Sequence, residues 1–429
     1  MSKIIKATLE DVCLAEKGAI ISGPFGSNIS SKYFVSSGVP VIRGNNLSLT
    51  YDKFYDKGFV FVTKQKADEL NCYAKKRDLI FTAAGTIGQV GIIPDSAQFE
   101  EYVISNKQIR ATLDCNKINF LYAYYWFSSP WIQEKLIKSN KGSTVPLLTL
   151  AEVKLLPIYY PENLTEQIKI AEVIEMFSRK TELNKAINDN LEKQLHTIYD
   201  YWFTQFDFPD ENGKPYRSSG GKMVWNDELK REIPDGWSAA SIISNPLSTV
   251  IKPGVTRFDR KTYFATADVN GRNILDGTII SFEGRESRAN MQPTINSVWF
   301  AKMKNSVKHL ILNAEMKDLI ENSVLSTGFF GLQVQENAFE YMASFIGSGY
   351  FENRKDILAH GATQEAVNND DLGALYFVIP DPKTLQAFHK ATRGIYAKIS
   401  QNIIENRKLQ KLRDWLLPML MNGQATVTD

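Results

Sequence analysis

The amino-acid sequence predicts an α+β fold: two mixed, strand-rich domains, each followed by a long helix, with the two helices packed as an antiparallel coiled coil. Three observations support this prediction. The chain has 429 residues, which is enough for two domains of ordinary size. A set of identical residues recurs at a spacing of 219 positions, and an apolar stripe with helical spacing ends each copy.

The long-range repeat indicates two copies of one globular unit, each followed by a helix. Between the repeated glycine and proline, each copy runs from a small polar turn into an apolar segment, KLLPIYYP in the first and GALYFVIP in the second. A period this long excludes a solenoid, whose repeats span about 20–50 residues. The identities pair Gly142, Thr144, Pro161, Thr165 and Gln167 with Gly361, Thr363, Pro380, Thr384 and Gln386.

Short apolar runs separated by turn residues predict strands in the first copy. VPVIRG, KGFVFVT and RDLIFTAAG are rich in Val, Ile and Phe and are bounded by Gly and Asp. Gly, Pro and Ser mark a connector between the copies, and Pro418 and Gly423 are expected to end the second helix. The expected organisation is a first domain at 1–164, its helix at 165–204, a connector at 205–237, a second domain at 238–382 and its helix at 383–423.

Each predicted helix carries an apolar stripe that is too narrow for a core helix and therefore needs a partner helix. The partner available in the chain is the helix of the other copy. Asn190 and Asn406 fall at matching positions near the stripes, where a buried polar residue can fix the register of two helices; two exposed asparagines fit the pattern as well. The residues predicted to form this seam or to meet partner helices are Ile187, Asn190, Leu191, Ile198, Ile399, Ile403, Asn406 and Leu409.

The composition is that of a soluble globular protein. Hydrophobic residues make up 43% and charged residues 23%, which excludes wholesale disorder. No apolar run approaches the roughly 18 residues of a membrane span, and the first residues lack the apolar core of a secretory signal. The three cysteines fit no metal-binding spacing, and their number suits a reducing compartment. We therefore expect a cytoplasmic protein without a membrane partner.

Charge is distributed unevenly although the net charge is only +2. Residues 250–308 contain ten Lys and Arg against five Asp and Glu, whereas residues 309–382 contain three against eleven. Such a contrast fits a basic surface for a polyanion and other faces for proteins, and it also fits the ordinary variation of charge along a chain.

No constellation of catalytic residues can be recognised. The sequence lacks the phosphate-binding Gly-x4-Gly-Lys-Ser/Thr, the Gly-x-Ser-x-Gly elbow and His-Glu-x-x-His, so we expect neither catalytic nor metal-ligating residues. One degenerate pattern exists: Pro209 and Asp210 are followed by Glu228 and Lys230. In magnesium nucleases two such carboxylates hold the metal and the lysine steadies the attacking water. A self-contained nuclease is therefore an alternative.

Clusters of Arg, Lys, Asn and Gln in each copy suit contacts with DNA. Arg and Asn form bidentate hydrogen bonds with guanine and adenine edges, and Lys, Ser and Thr bind phosphate oxygens. The motifs IRGNNL, SNKQIR and KGST bring such residues together in the first copy, and VTRFDRKTYFATADVNGR does so in the second. The candidate DNA-binding residues are Arg43, Asn45, Asn46, Lys107, Gln108, Arg110, Lys141, Ser143, Thr144, Arg257, Arg260, Lys261, Arg272, Lys302 and Lys304.

The order of these motifs resembles the specificity subunit of type I restriction–modification systems. In the first copy the matching segments are GPFGSNI (23–29), GVPVIRGNNL (38–47) and RDLIFTAAGTIG (77–88). The second copy opens with IPDGW (233–237) and closes with NRKLQKLRDWLLPMLMNG (406–423). It lacks the Gly-Thr-x-Gly that ends the third segment, which argues against transferring contacts from one copy to the other.

This resemblance implies a non-catalytic subunit that reads DNA. Each domain would be a target recognition domain for one half of a split site in double-stranded DNA. The helix pair would set the gap and dock two methyltransferase subunits, and restriction or motor subunits would join them. The chain itself would hold no cofactor, while S-adenosylmethionine, ATP and Mg²⁺ would serve the partner subunits. The alternatives are a self-contained magnesium-dependent restriction nuclease and a protein-binding scaffold without base readout.

Overall fold

The structure, a computed structural model, describes residues 3–49, 51–138, 147–362 and 364–427. The chain divides into two compact units, of which the first comprises Met1–Lys180 with Leu409–Asp429 and the second comprises Thr181–Lys408. In the described ranges, none of the helices combines the length and the apolar character that crossing a membrane requires.

The described residues of the first unit form two four-stranded sheets and one two-stranded sheet. One four-stranded sheet is antiparallel throughout, and the other contains one parallel pair between its two central strands. A two-stranded sheet joins the beginning of the unit to the strand that precedes its long helix. The antiparallel sheet has the strand order Ile20–Ser22, Gln108–Ala111, Leu79–Thr82, Val90–Ile92. The sheet with the parallel pair has the order Val60–Val62, Val39–Ile42, Glu101–Ile104, Tyr73–Lys75. The two-stranded sheet pairs Ile4–Thr8 with Pro157–Pro161.

The second unit repeats these three sheets in the same strand order, including the parallel central pair. The corresponding strands are Ser248–Val250, Phe329–Val334, Ser297–Ala301 and His309–Leu312 in the antiparallel sheet; Thr278–Ile280, Lys261–Phe264, Ser323–Ser326 and Ala289–Met291 in the sheet with the parallel pair; and Ser238–Ser241 with Tyr376–Ile379 in the two-stranded sheet. Two additional hairpins pair Met223–Asn226 with Arg231–Pro234 and Val269–Asn270 with Asn273–Ile274. The duplication inferred from spaced identities therefore extends to the order of the strands in every repeated sheet.

Short helices complete each unit and carry the aromatic part of its core. The Phe120–Phe127 helix starts at Asn119, whose side-chain oxygen accepts hydrogen bonds from two backbone N–H groups of the first turn. Every residue of its counterpart, Phe339–Ile346, is buried. The other short helices are Lys64–Leu70, Pro130–Lys138 and Leu150–Lys154 in the first unit, and Lys317–Glu321, Gly349–Leu358 and Asn369–Gly373 in the second.

Two long helices follow the repeated sheets. The first long helix spans Leu164–Tyr199 and continues into a π-helical turn at Asp200–Thr204. The second long helix spans Pro382–Met421. Pro418 was expected to end this helix, but it lies inside it, because the backbone remains helical for three further residues and Asn422 N–H bonds to the carbonyl oxygen of Pro418 at 2.9 Å.

In the second unit, the two long helices contact each other through side chains. The Asn184 amide donates to Asn406 Oδ1 at 2.9 Å, and the Asn402 amide donates to Asn188 Oδ1 at 2.8 Å. Further along, the rings of Phe203 and Phe388 lie 4.9 Å apart. The residue number thus rises along one helix as it falls along the other. In the first unit, Ile170 and Ile174 share a hydrophobic cluster with Leu417 and Leu420.

Candidate nucleic-acid interface

A groove of about 610 Å³ opens on the first unit between a turn and two strand ends. One wall is the 3₁₀ turn Gly44–Asn46, which follows a central strand, and the other is formed by residues 105–108 between two strands of different sheets. The groove brings together four candidate residues that are far apart in the sequence, namely Arg43, Asn45, Lys107 and Gln108. Polar donors and acceptors from two chain segments therefore face one concave surface.

Asn46 builds the turn of this groove and is not available to a ligand. Its side chain is fully buried, its Oδ1 accepts from Arg43 N–H at 3.0 Å, and its Nδ2 donates to the carbonyl oxygens of Tyr55 and Lys57. The expectation that Asn46 contacts DNA is corrected accordingly, because every strong hydrogen-bonding group of this amide is already used inside the fold.

Arg43 and Asn45 keep most of their hydrogen-bonding capacity. Arg43 Nη2 and Asn45 Nδ2 both donate to the carbonyl oxygen of Gly58, each at 3.4 Å. Hydrogen bonds of this length are weak, so an incoming acceptor can replace them at little cost. These two side chains offer the arginine fork and the amide pair that suit base edges or phosphates.

Gln89 and Gln108 support the floor of the groove. Gln89 Nε2 donates to the carbonyl oxygens of Gly44 and Leu47 at 3.1 Å, which holds the turn against a neighbouring strand. Gln108 is 1% exposed and hydrogen bonds with the Ser105 hydroxyl. The prediction for Gln108 is therefore corrected from a DNA contact to a buried support, whereas Lys107 beside it is exposed.

Arg110 also serves the fold rather than the groove. Its guanidinium donates to the carbonyl oxygen of Gly18 and lies 3.9 Å from Asp78, whose pKa is raised by burial. Arg110 is thereby tied between two internal acceptors, which corrects its prediction as a DNA contact. The predicted phosphate ligands Lys141, Ser143 and Thr144 lie outside the described residues.

The strand registers identify the residues of the second unit that correspond to this groove. Ile42 pairs with Ile104 in the first unit as Phe264 pairs with Leu325 in the second. The residues that follow form equivalent turns in the two units. In the first, Asn46 Oδ1 accepts a hydrogen bond from the backbone N–H of Arg43; in the second, Asp268 Oδ2 accepts one from the backbone N–H of Ala265. By this alignment Ala265 replaces Arg43, so the second unit lacks the arginine of the turn.

In the second unit a cation, Lys302, directly follows the strand Ser297–Ala301. Lys302 N–H bonds to the carbonyl oxygen of Gly328, as Ala83 N–H bonds to that of Lys107, so Lys302 takes the position of Ala83. Burial lowers the pKa of Lys302, and the charge of Arg288 lowers it further. The two units thus place their cations on different walls of the same scaffold.

The other basic candidates of the second unit have partners of their own, with one exception. Arg257 pairs with Glu283 at 2.7 Å, Lys304 pairs with Glu365 at 2.9 Å, and Lys261 donates to Gln292 at 3.1 Å. The two ion pairs among these contacts are accessible to solvent, so they are weak and can exchange for a phosphate. Arg260 is exposed and makes no hydrogen bond or ion pair within the described chain.

Arg272 is corrected from a DNA contact to a support of the long helices. Its guanidinium lies 3.6 Å from Glu192 of the first long helix and 5.9 Å from the ring centre of Tyr396 of the second. Its side chain is mostly buried between these two helices. A phosphate could reach it only if both contacts were broken.

Only some of the residues predicted for the seam lie at the contact between the two long helices. Ile399 and Ile403 are buried, Leu191 and Ile198 are half-buried against the same cluster, and Asn406 accepts from Asn184. Leu409 is half-buried, whereas Ile187 is 40% exposed and Asn190 is exposed. The buried asparagines of the first helix are Asn184 and Asn188, which corrects the choice of Asn190, whereas the exposed Ile187 stays a candidate for contact with a partner helix. The missed signal was the four-residue spacing of asparagines that both helices share, 184 and 188 against 402 and 406.

The nuclease-like pattern forms loops in the structure. Asp210 Oδ1 accepts from the backbone N–H groups of Asn212 and Lys214 at 2.8 Å, which closes a turn. Lys230 lies 3.9 Å from Asp227. Within the part of the chain that the structure describes, no three His, Cys, Asp or Glu side chains are grouped in a way that could hold a metal ion.

Known proteins match this chain over nearly its whole length. The family model for the type I restriction modification DNA specificity domain matches residues 1–193. The specificity subunit of the type I restriction enzyme MjaIX from Methanocaldococcus jannaschii is 25% identical over 428 residues, which cover 96% of this chain and 92% of the relative. The HindI specificity subunit from Haemophilus influenzae is 20% identical over 94% of this chain and 98% of its own.

The fold is similar to that of a solved structure as well. The crystal structure of a type I restriction–modification system S subunit from M. genitalium superposes with a TM-score of 0.51 and 14% identity. The superposition covers 98% of this chain and 96% of the other. At this identity the likeness concerns the fold alone.

Proposed function

The chain belongs to the family of type I restriction–modification specificity subunits, and from this premise we propose that each of its strand-rich domains, 1–164 and 238–382, reads one half of a split DNA site. The chain is a non-catalytic DNA-recognition subunit, and catalysis belongs to partner subunits. The self-contained nuclease and the scaffold without base readout are set aside.

The observation that carries the proposal is one scaffold with two different polar surfaces. The turn after the central strand is built alike in both units, yet Arg43 and Asn45 of the first correspond to Ala265 and Ala267 of the second. A duplicated fold whose polar side chains differ at equivalent positions suits the recognition of two different half-sites. In the second unit the base-reading cation is Lys302, with Arg288 and Arg260 as further contacts to DNA.

The two long helices set the gap between the half-sites. The first long helix has 36 residues and is about 54 Å long at 1.5 Å per residue. The paired asparagines and the Phe203–Phe388 contact support an antiparallel coiled coil, because the contacts follow one register. A rigid spacer of this kind would fix the number of base pairs between the two readers.

Two methyltransferase subunits dock on this chain, and restriction or motor subunits join them. The first long helix exposes Met176, Leu183 and Ile187, apolar side chains that a partner helix can cover. S-adenosylmethionine, ATP and Mg²⁺ would act in those partner subunits, and the assembly would work in the cytoplasm on double-stranded DNA.

A map of methylated bases tests the proposal. The chain is co-expressed with the methyltransferase subunit of its own system in a bacterial host without methylation, and modified adenines are mapped by single-molecule sequencing. We expect a split motif that depends on this chain. A stable complex of the two proteins that yields no motif would contradict sequence recognition and return the scaffold to consideration.

A further inference from the structure

A pocket of the second unit lies apart from the candidate DNA-binding residues. It has a volume of about 320 Å³ and forms where the π-helical turn, the Gly349–Leu358 helix and the strand Tyr376–Ile379 meet. Its size is that of a small ligand or a large side chain. The Gly349–Leu358 helix begins at the pocket, whereas Lys355 and Asp356 near its other end contact the turn at 303–306.

Aromatic rings form the wall of this pocket. The rings of Phe203 and Tyr341 lie 4.6 Å apart and those of Phe345 and Phe377 lie 4.9 Å apart, so the wall is closely packed. Tyr350 stands at the mouth with 53% of its surface exposed. An exposed ring above a packed aromatic wall can close over an apolar group.

One cation lines the pocket. Arg231 donates to the carbonyl oxygen of Thr204 at 2.9 Å, and its guanidinium lies 4.4 Å from the ring centre of Phe206. Within the described residues no carboxylate lies in ion-pair contact with it, and burial lowers its pKa. A half-buried guanidinium with unused donors favours a carboxylate, which gains from the same low-dielectric surroundings.

Gly349 lines the pocket without a side chain and leaves it open at this point. Its φ angle is not positive, and a Cβ atom at this position would meet no atom within 4 Å. Neither backbone strain nor packing therefore requires glycine here, although glycine is a poor helix former. The absent side chain leaves space for an occupant at this point of the pocket.

We propose that this pocket docks a protein partner through one large apolar side chain with a carboxylate beside it. The apolar group would lie on the wall around Phe203 and Tyr341, and the carboxylate would pair with Arg231. DNA is a poorer occupant, because binding to a polyanion depends on several cations and the described lining of the pocket offers one, Arg231. The inference rests on the proposed function in one respect: the partner to be tested is the methyltransferase subunit.

Filling the pocket from its rim tests the inference without disturbing the core. Gly349→Phe places a ring in open space, and Tyr350→Ala removes the exposed ring at the mouth. The affinity of each purified variant for the methyltransferase subunit is measured by calorimetry. We expect at least tenfold weaker binding for both variants, with thermal unfolding of the chain unchanged or, for Gly349→Phe, at a higher temperature. Arg231→Lys, which keeps the charge but loses the fork, should weaken binding to a smaller extent.

Trp225→Ser is the matched control, because Trp225 is an exposed aromatic residue of the same unit that does not line the pocket. It should bind the methyltransferase subunit like the unaltered chain. Equal binding by Gly349→Phe and Tyr350→Ala would overturn the inference and leave the proposed function intact. Weaker DNA binding with unchanged subunit binding would assign the pocket to nucleic acid and also overturn it. Failure of the unaltered chain to bind the subunit would overturn both.

Discussion

Arg43 and Asn45 share a weak acceptor, the carbonyl oxygen of Gly58, and this leaves most of their hydrogen-bonding capacity available in the first groove. Asn46, their neighbour in sequence, is fully buried and holds the turn in place. Composition alone treats these three residues alike. Whether a residue can contact DNA or instead holds the turn in place depends on the path of the turn and on the strands beside it. No local sequence pattern specifies either.

Arg43→Ala should relax one position of one half-site. If the guanidinium makes a bidentate contact with guanine, the loss is about 1–3 kcal/mol of discrimination at that base pair. The measurement is the methylation motif of the variant, read beside that of the unaltered chain. An equal loss of methylation at all sites would identify a phosphate contact instead.

Lys302→Met should affect the other half-site. Lys302 directly follows its strand in the second unit, as Ala83 does in the first, and the alanine at position 265 leaves the turn without a competing cation. We expect the motif to relax in the second half-site only. Lys317→Met is the control, because Lys317 is an exposed lysine of the same unit that pairs with Glu321 and is not among the candidate DNA-binding residues. Relaxation of the same half-site by both variants would argue against a specific role of Lys302.

At the scale of elements, the sequence predicts the repeat, the long helices and the strand-rich domains, because each is a periodic pattern of apolar residues. It does not predict which asparagine of the first helix is buried, since Asn184, Asn188 and Asn190 all lie near the apolar stripe. The structure selects Asn184 and Asn188, which meet Asn406 and Asn402. The choice depends on the rotation of one helix against the other, a tertiary property.

Asn188→Ala should destabilise the protein, whereas Asn190→Ala should not. Removing the Asn188 amide leaves the buried Nδ2 of Asn402 without its acceptor, and an unsatisfied buried donor costs about 1–3 kcal/mol. Asn190 is exposed, so its replacement should change the free energy of unfolding by less than about 0.5 kcal/mol. Chemical denaturation of both variants measures the difference. Equal stabilities would place the asparagine contact outside the helix interface.

At the scale of the whole molecule, the proposed spacer can be tested by shortening both long helices by the same number of residues. The equal spacing of the paired asparagines shows which residues to remove so that the two helices keep their pairing. Asn184 opposes Asn406, and Asn188 opposes Asn402, so removal of residues 185–188 together with residues 402–405 takes one layer from both helices. The contact between Asn184 and Asn406 is kept, and Asp189 then lies opposite Gln401. The deletion also removes Ile403 from the buried cluster of the second unit, so thermal unfolding of the variant is measured before its motif is read.

This paired deletion should shorten the gap of the methylation motif and leave both half-sites unchanged. Four residues correspond to about 6 Å of helix, or roughly two base pairs at 3.4 Å each. Deletion of residues 185–188 alone is the control: it shifts one helix against the other, places Asn184 and Asn406 out of register, and should lower both stability and methylation. A paired deletion that methylates the original motif with the original gap would exclude the helices as the element that sets it.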